Sequence, residues 1–107
     1  MTYEVLLTDD AENDLFEIYR YVAFNDSLEK ADQLLDKLEE LVQALARLPA
    51  RGHVPPELAR IGVTDYREVH FKPYRVIYRI EGQRVFVYCV LDGRRDLQSL
   101  LQQRLLR

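Results

Sequence analysis

The sequence predicts an α+β protein: an N-terminal strand, an antiparallel helical hairpin packed on a mostly antiparallel four-stranded sheet, and a short C-terminal helix. Apolar residues recur at helical spacing in the first half, and three runs of strand-forming residues follow one another in the second. A chain of 107 residues has the size of one ordinary domain and buries roughly two-thirds of its unfolded surface. We therefore expect residues 1–107 to form a single domain.

The chain opens with a predicted strand and helix. Tyr3–Leu7 is a short, mostly apolar run that indicates a strand. Thr8 or Asp9 is placed to cap the following helix, and Asp9 with Glu12 has the spacing of a capping box. The apolar face of this helix carries Ala11, Leu15, Ile18 and Val22. The segment 25–27 (Asn-Asp-Ser) breaks it and caps the next helix.

The second helix has the most regular pattern in the chain. Its apolar residues alternate steps of three and four: Ala31, Leu34, Leu38, Leu41, Leu45 and Leu48. Pro49 ends it, and the short break before it favours an antiparallel hairpin with the first helix. We expect the leucine stripe to be core; the alternative is a surface for a partner helix or a second copy.

A long connection, residues 49–65, separates the hairpin from the predicted sheet. It holds three prolines and two glycines, and a connection of this length in a compact domain is usually packed, functional or both. The predicted strands after it are Tyr66–Phe71, Tyr74–Ile80 and Arg84–Leu91. The C-terminal helix follows, with Leu97, Leu100, Leu101 and Leu105 on its apolar face.

Alternation along the strands sorts their side chains onto two faces, if both hairpin turns hold an even number of residues and no strand has a bulge. The face expected under the helical hairpin carries Val69, Phe71, Tyr74, Val76, Tyr78, Ile80, Val85, Val87, Cys89 and Leu91. The other face carries Tyr66, Glu68, His70, Arg75, Ile77, Arg79, Phe86, Tyr88 and Val90, with Arg94 and Arg95 just beyond its edge.

The second face mixes cations with aromatic rings. Such a mixture suits phosphate contact, base stacking or a protein interface. The structural alternative is that Glu68 pairs with Arg75 or Arg79 across the strands and that the last helix covers the apolar residues. The net charge of −3 is divided unevenly: residues 1–48 hold 4 Lys/Arg against 12 Asp/Glu, and residues 49–107 hold 11 against 6. An acidic partner should therefore meet the second half.

Composition also sets limits on chemistry and location. One cysteine, Cys89, allows no internal disulfide and no cysteine metal cluster. His53 and His70 are isolated from each other and from other metal-binding residues in the sequence, so we expect no metal site. The sequence contains no phosphate-binding loop, so we expect no cofactor. No signal peptide and no membrane-length apolar run appears, which predicts a cytoplasmic protein with no membrane contact.

Four segments in this order resemble the RelE/ParE superfamily of toxins from bacterial type II toxin–antitoxin pairs. They are LTDDAENDLFEIYRYV at 7–22, LPARGHVPPELARIG at 48–62, YREVHFKPYRVIYRI at 66–80 and VLDGRRDL at 90–97. The resemblance covers almost the whole chain. It implies a small antitoxin that wraps the toxin in a hetero-oligomer, a ParD-like one for the ParE branch, and contact with operator DNA only through that antitoxin.

The resemblance implies two activities that the fold alone does not separate. RelE-like members are ribosome-dependent endoribonucleases. For that chemistry Arg75 and Arg94 or Arg95 resemble phosphate-binding arginines, while Tyr88 or His70 would move protons. Three features argue against RNA cleavage. The chain is net acidic, and no Tyr or His follows Gly93. Asp92 stands where many relatives carry His, and its carboxylate would repel phosphate unless Arg94 or Arg95 pairs with it.

The ParE-like branch poisons DNA gyrase, which requires a binding surface rather than proton-transfer groups. We favour gyrase inhibition over RNA cleavage. The third alternative is a non-toxic module of the same fold that binds an antitoxin. The residues expected to contact the target or the antitoxin are Arg75, Arg79, Tyr88, Arg94 and Arg95.

Overall fold

The computed structural model describes residues 2–106 and has the predicted order of elements. The strands are β1 (Glu4–Leu7), β2 (Tyr66–Phe71), β3 (Tyr74–Glu81) and β4 (Arg84–Asp92). The helices are α1 (Asp9–Asn25), α2 (Leu28–Gln43), the single-turn α3 (Pro56–Ala59) and α4 (Gln98–Leu105). No helix in residues 2–106 is long and apolar enough to cross a membrane.

Side-chain caps begin both long helices. Thr8 caps α1 by accepting a hydrogen bond from the backbone N–H of Ala11, and Ser27 caps α2 by accepting one from Lys30. Of the two residues proposed to cap α1, Thr8 is therefore the one that does so. Asp9 is the first helical residue instead, so the capping box proposed for Asp9 and Glu12 was wrong.

The sheet has the order β1-β4-β3-β2. β1 runs parallel to β4, and β2, β3 and β4 form an antiparallel meander. Both hairpin turns have two residues, as the alternation argument assumed: Phe71 pairs with Tyr74, and Glu81 pairs with Arg84. Gly82 adopts a positive φ of 62° in the second turn, where a side chain would be strained. The predicted fold class is confirmed.

The helical hairpin covers one face of the sheet. The buried cluster there joins α1 and α2 to the strands through Ala11, Leu38, Val42, Leu45, Val69, Val76, Tyr78, Val85, Val87 and Val90. The leucine stripe of α2 is thus largely core, as expected, but its last member is not. The helix ends at Gln43, a short 3₁₀ turn follows, and Leu48 is exposed.

The opposite face is covered by α3 and α4. Its buried cluster contains Leu58, Tyr66, Ile77, Cys89, Leu91, Leu97 and Leu101. The structural alternative for this face, an apolar strip covered by the last helix, is therefore correct along the middle of the sheet.

A β-bulge in β4 corrects the predicted faces. Ile77 pairs with Cys89 but Tyr78 pairs with Val87, so Tyr88 is the extra residue. Residues after the bulge change sides: Cys89 and Leu91, predicted under the hairpin, lie under α4, and Val90 lies in the hairpin core. Tyr88 itself keeps the predicted side and packs against the α4 cluster.

Candidate functional site

A surface cleft of about 340 Å³ lies at the end of the sheet near the β2–β3 turn. Its lining residues are His70, Lys72, Pro73, Tyr74, Arg75, Gly93 and Arg94. Three residues predicted to form the site, His70, Arg75 and Arg94, thus meet here. We call this the arginine cleft.

Arg75 is held by two carboxylates. Its Nη1 and Nη2 donate to the two oxygens of Glu57 at 2.7 Å each, while Nε and Nη2 donate to Glu68. The hydrogen bond from Arg75 holds the pKa of Glu57 below its usual value, and the same pair raises the pKa of Arg75. Of the partners proposed for Glu68, Arg75 is the correct one.

Glu68 is the buried centre of this network. Its side chain is 1% exposed, and both histidines of the chain lie beside it. His70 Nε2 is 2.9 Å from one carboxylate oxygen, and His53 Nε2 is 3.3 Å from the other. The expectation that His53 and His70 are isolated was therefore wrong, because the 49–65 connection folds back along β2.

The connection is fixed to β2 by backbone hydrogen bonds and a close approach. His53 and Glu68 exchange N–H···O bonds of 3.2 and 2.7 Å. Tyr78 accepts a hydrogen bond from Gly52 N–H and donates one to the carbonyl of Pro49. A Cβ on Gly52 would lie 2.5 Å from the Glu68 carbonyl oxygen, so only glycine fits.

The two arginines after β4 differ in their contacts. Arg94 donates from Nε and Nη2 to Asp92 at 3.0 and 2.6 Å, and this pairing lowers the pKa of Asp92. Asp92 is thus paired with Arg94 rather than Arg95, which settles the alternative left open by the sequence. Arg95 is exposed, and its backbone N–H donates to the Asp92 carbonyl.

Arg79 and Tyr88 lie away from the arginine cleft, toward the β3–β4 turn. The Arg79 guanidinium carbon is 5.8 Å from the ring centroid of Tyr66, and Tyr88 packs edge-on against the same ring. The Tyr88 hydroxyl donates to Glu81 at 3.1 Å. Partial burial and the Glu81 contact raise the pKa of Tyr88. Helices α3 and α4 therefore divide the predicted contact surface into two parts, one with Arg75 and Arg94 and the other with Arg79 and Tyr88.

Sequence reasoning named no role for Glu57, although it lies in one of the segments that carry the family resemblance. Glu57 directly follows two prolines, and nothing in that local sequence predicts a contact with Arg75, eighteen residues away. The contact between Glu57 and Arg75 depends on tertiary structure, because the 49–65 connection brings α3 over the end of β3. Glu57 removes the free positive charge that the sequence had placed at Arg75.

The contacts of Arg75 and Tyr88 bear on the chemistry that these residues can perform. Glu57, Glu68 and Arg75 together carry one net negative charge, so Arg75 offers an incoming phosphate no uncompensated cation. The other cations of the cleft are Lys72 and Arg94, and Arg94 is paired with Asp92. A tyrosine base also needs a lowered pKa, and that of Tyr88 is raised. Within residues 2–106, no buried side-chain nitrogen or oxygen lacks a hydrogen-bond partner. Arg75 in the cleft is thus fully engaged by Glu57 and Glu68.

Comparison with known proteins identifies the class. Residues 5–97 match the family model described as the ParE toxin of the type II toxin–antitoxin system parDE. The chain is also 31% identical over 97 residues to Toxin ParE3 of Caulobacter vibrioides, covering 91% of this chain and 93% of that protein. The chain therefore belongs to the ParE toxin family of type II toxin–antitoxin systems.

Solved structures show the same fold. A chain of a chromosomal ParDE system from P. aeruginosa superposes with a TM-score of 0.72 at 20% identity, covering 85% of this chain and 96% of that one. A chain of the RelBE2 toxin–antitoxin complex from Mycobacterium tuberculosis gives a TM-score of 0.62 at 22% identity, covering 86% and 99%. This chain thus shares its fold with a chain of that ParDE system and with a chain of the RelBE2 complex.

Proposed function

We propose that this chain is a cytoplasmic toxin that inhibits DNA gyrase by binding it, and that a small ParD-like antitoxin neutralises it. Membership of the ParE family supports this proposal. The observation that carries it against RNA cleavage is the occupation of Arg75 by Glu57 and Glu68. A gyrase inhibitor needs only exposed contact residues, and Arg95 and the partly exposed Arg79 and Tyr88 meet that need.

The antitoxin is proposed to bind the toxin as a hetero-oligomer and to make any contact with operator DNA. The solved relatives come from toxin–antitoxin systems, which supports such a partner. An antitoxin segment carrying acidic residues suits the positive second half of the chain, so added salt should weaken the complex. Exposed apolar residues of the hairpin offer a different, salt-insensitive contact: Phe16, Tyr21, Phe24 and Leu28.

The decisive experiment compares two activities of one purified preparation. We expect the toxin to inhibit supercoiling by purified gyrase and to leave mRNA intact on translating ribosomes. Addition of the cognate antitoxin should restore supercoiling. Unchanged supercoiling at saturating toxin, together with mRNA cleavage, would replace this proposal with the RelE-like one. Antitoxin binding without either activity would indicate a non-toxic binding module.

A further inference from the structure

His53, Glu68 and His70 place three metal-binding groups at one point on the surface. We propose that these residues bind a divalent transition-metal ion, with Zn²⁺ the best match. Two imidazoles and one carboxylate are a donor set that zinc accepts, and it leaves a fourth position open. Mg²⁺ and Ca²⁺ prefer all-oxygen sites, so they should bind poorly here.

The distances fit one small ion. The ligand atoms of the three residues all lie within 4.8 Å of one another. In a tetrahedral zinc site with bonds of about 2.0–2.2 Å, ligand atoms are roughly 3.3 Å apart. His53 Nε2 is already 3.3 Å from Glu68 Oε2, and His70 Nε2 is 2.9 Å from Oε1. The imidazoles are 62% and 44% exposed, so small side-chain rotations are open to them.

The backbone fixes the three residues before any ion binds. Glu68 and His70 are two apart on β2, so their side chains share one face of the strand. The paired hydrogen bonds between His53 and Glu68 hold the connection beside that strand. The two imidazole rings already touch edge to face, with centroids 5.3 Å apart. Little backbone freedom therefore remains to be lost on metal binding.

Arg75 and Glu57 act as the outer layer of this site. Arg75 orients the Glu68 carboxylate through Nε and Nη2 and is held in turn by Glu57. Supporting hydrogen bonds of this kind fix ligand orientation in known metal sites. The net charge of Glu57, Glu68 and Arg75 is −1, which attracts a cation despite the neighbouring guanidinium.

Metal binding leaves the Arg75 contacts in place. Each carboxylate oxygen has two lone pairs, and Arg75 uses one on each. The remaining lone pairs face the histidines. Metal coordination requires a free lone pair on each Nε2, so a proton on His70 Nε2 either moves to Nδ1 through solvent or, if the ring is an imidazolium, is released to solvent. Each neutral imidazole then carries its one proton on Nδ1 and presents Nε2 to the metal. The ion would join the 49–65 connection to β2.

The test is calorimetric titration of tag-free, chelator-treated protein with ZnCl₂. The chain has two histidines and one cysteine, and Cys89 is buried, so any imidazole ligand comes from His53 or His70. We expect the unaltered protein to bind one Zn²⁺ ion per chain and to give no heat with MgCl₂. His53→Gln and His70→Gln should each lower the association constant for Zn²⁺ at least tenfold. Glu81→Gln, which removes a more exposed carboxylate on β3, is the matched control and should bind normally.

Nuclear magnetic resonance of the unaltered protein gives a second measurement that needs no variant. The ring resonances of both histidines should move together and saturate at one equivalent of Zn²⁺. Absence of binding would overturn the proposal. Equal binding by the two histidine variants and the control would also overturn it, and would indicate adsorption to surface carboxylates. Both measurements are independent of gyrase and of toxicity.

Discussion

Asp14 on α1 and Arg104 on α4 form a two-point ion pair across ninety residues of sequence. The Arg104 Nη1 and Nη2 donate to the two Asp14 oxygens at 3.3 and 3.0 Å. Asp14 also accepts from the backbone N–H of Val90, and Arg104 donates to the Tyr88 carbonyl, both at 3.0 Å. The pair therefore satisfies two backbone groups at the β4 bulge: the carbonyl of the extra residue Tyr88 and the N–H of Val90, two residues later.

We expect Asp14→Ala and Arg104→Ala each to lower the free energy of unfolding by about 2–4 kcal/mol. Arg104→Ala leaves the Asp14 carboxylate without its cation and the Tyr88 carbonyl without its donor. Asp14→Ala leaves the Val90 N–H unpaired and leaves Arg104 with the longer, 3.6 Å contact to Asp10. The side chains are 14% and 17% exposed. Urea denaturation measures the loss. The double variant should cost less than the sum of the single ones.

The matched control is Glu17→Ala on the same helix. Its ion pair with Arg20 is 58% and 64% exposed, so its removal should change the free energy of unfolding by less than about 0.5 kcal/mol. Equal losses for Glu17→Ala and Asp14→Ala would contradict a special role for the pair at the bulge.

This bulge marks the limit of what the sequence predicts about the fold. Periodicity identified every strand and long helix, because local patterns of period two and near 3.6 persist within an element. The side change after Tyr88 depends on a single extra residue in β4, which leaves the local alternation of the sequence intact. Cys89 and Val90 were therefore placed on the wrong faces although the strand itself was correct.

In the candidate site, too, the sequence predicted the local arrangement of residues but not their long-range contacts. Alternation correctly placed Arg75, Arg79 and Tyr88 away from the helical hairpin, since all three precede or occupy the bulge. What the sequence did not reveal is contact across the 49–65 connection, which brings Glu57 to Arg75 and His53 to Glu68. Such pairings depend on how an irregular segment folds back, and no local period encodes that.

Arg75→Ala should destabilise the protein by about 3–5 kcal/mol, because it leaves the Glu68 carboxylate buried without its cation. Thermal and denaturant unfolding measure this loss. Arg84→Ala is the control: its pair with Glu4 is 61% and 59% exposed and should contribute less than about 1 kcal/mol. A fully stable Arg75→Ala protein would show that the carboxylate network is not structural. Loss of toxicity in that variant alone would not identify a catalytic arginine.

Tyr78→Phe should lower the free energy of unfolding by about 1–3 kcal/mol. The buried hydroxyl donates to Pro49 at 2.6 Å and accepts from Gly52 at 3.1 Å, so its removal leaves two backbone groups unpaired. Tyr19→Phe removes an exposed hydroxyl that donates to Asp32 and should cost less. Equal stability of Tyr78→Phe and the unaltered protein would mean that water replaces the lost hydroxyl without cost.

Cys89 should resist thiol reagents in the folded protein. Burial raises its pKa to about 12 from an ordinary value of 9.0, so the folded thiol stays neutral at pH 8. Labelling by Ellman's reagent should be slow in buffer and complete in guanidinium chloride, with Cys89→Ala as the blank. Since the unfolded thiol loses its proton first, this group should lower stability as the pH rises above about 9. Rapid stoichiometric labelling without denaturant would contradict the burial.

Arg95→Glu should weaken gyrase inhibition without changing the melting temperature. The side chain is exposed beyond the end of β4, where a reversed charge disturbs a binding partner rather than the fold. We expect the toxin concentration for half-inhibition of supercoiling to rise about tenfold, which corresponds to about 1.4 kcal/mol of binding free energy. Arg84→Glu makes the same charge change at a distant exposed arginine and should inhibit normally. If both variants lose activity equally, net charge rather than a local contact determines inhibition, and Arg95 is removed from the proposed surface.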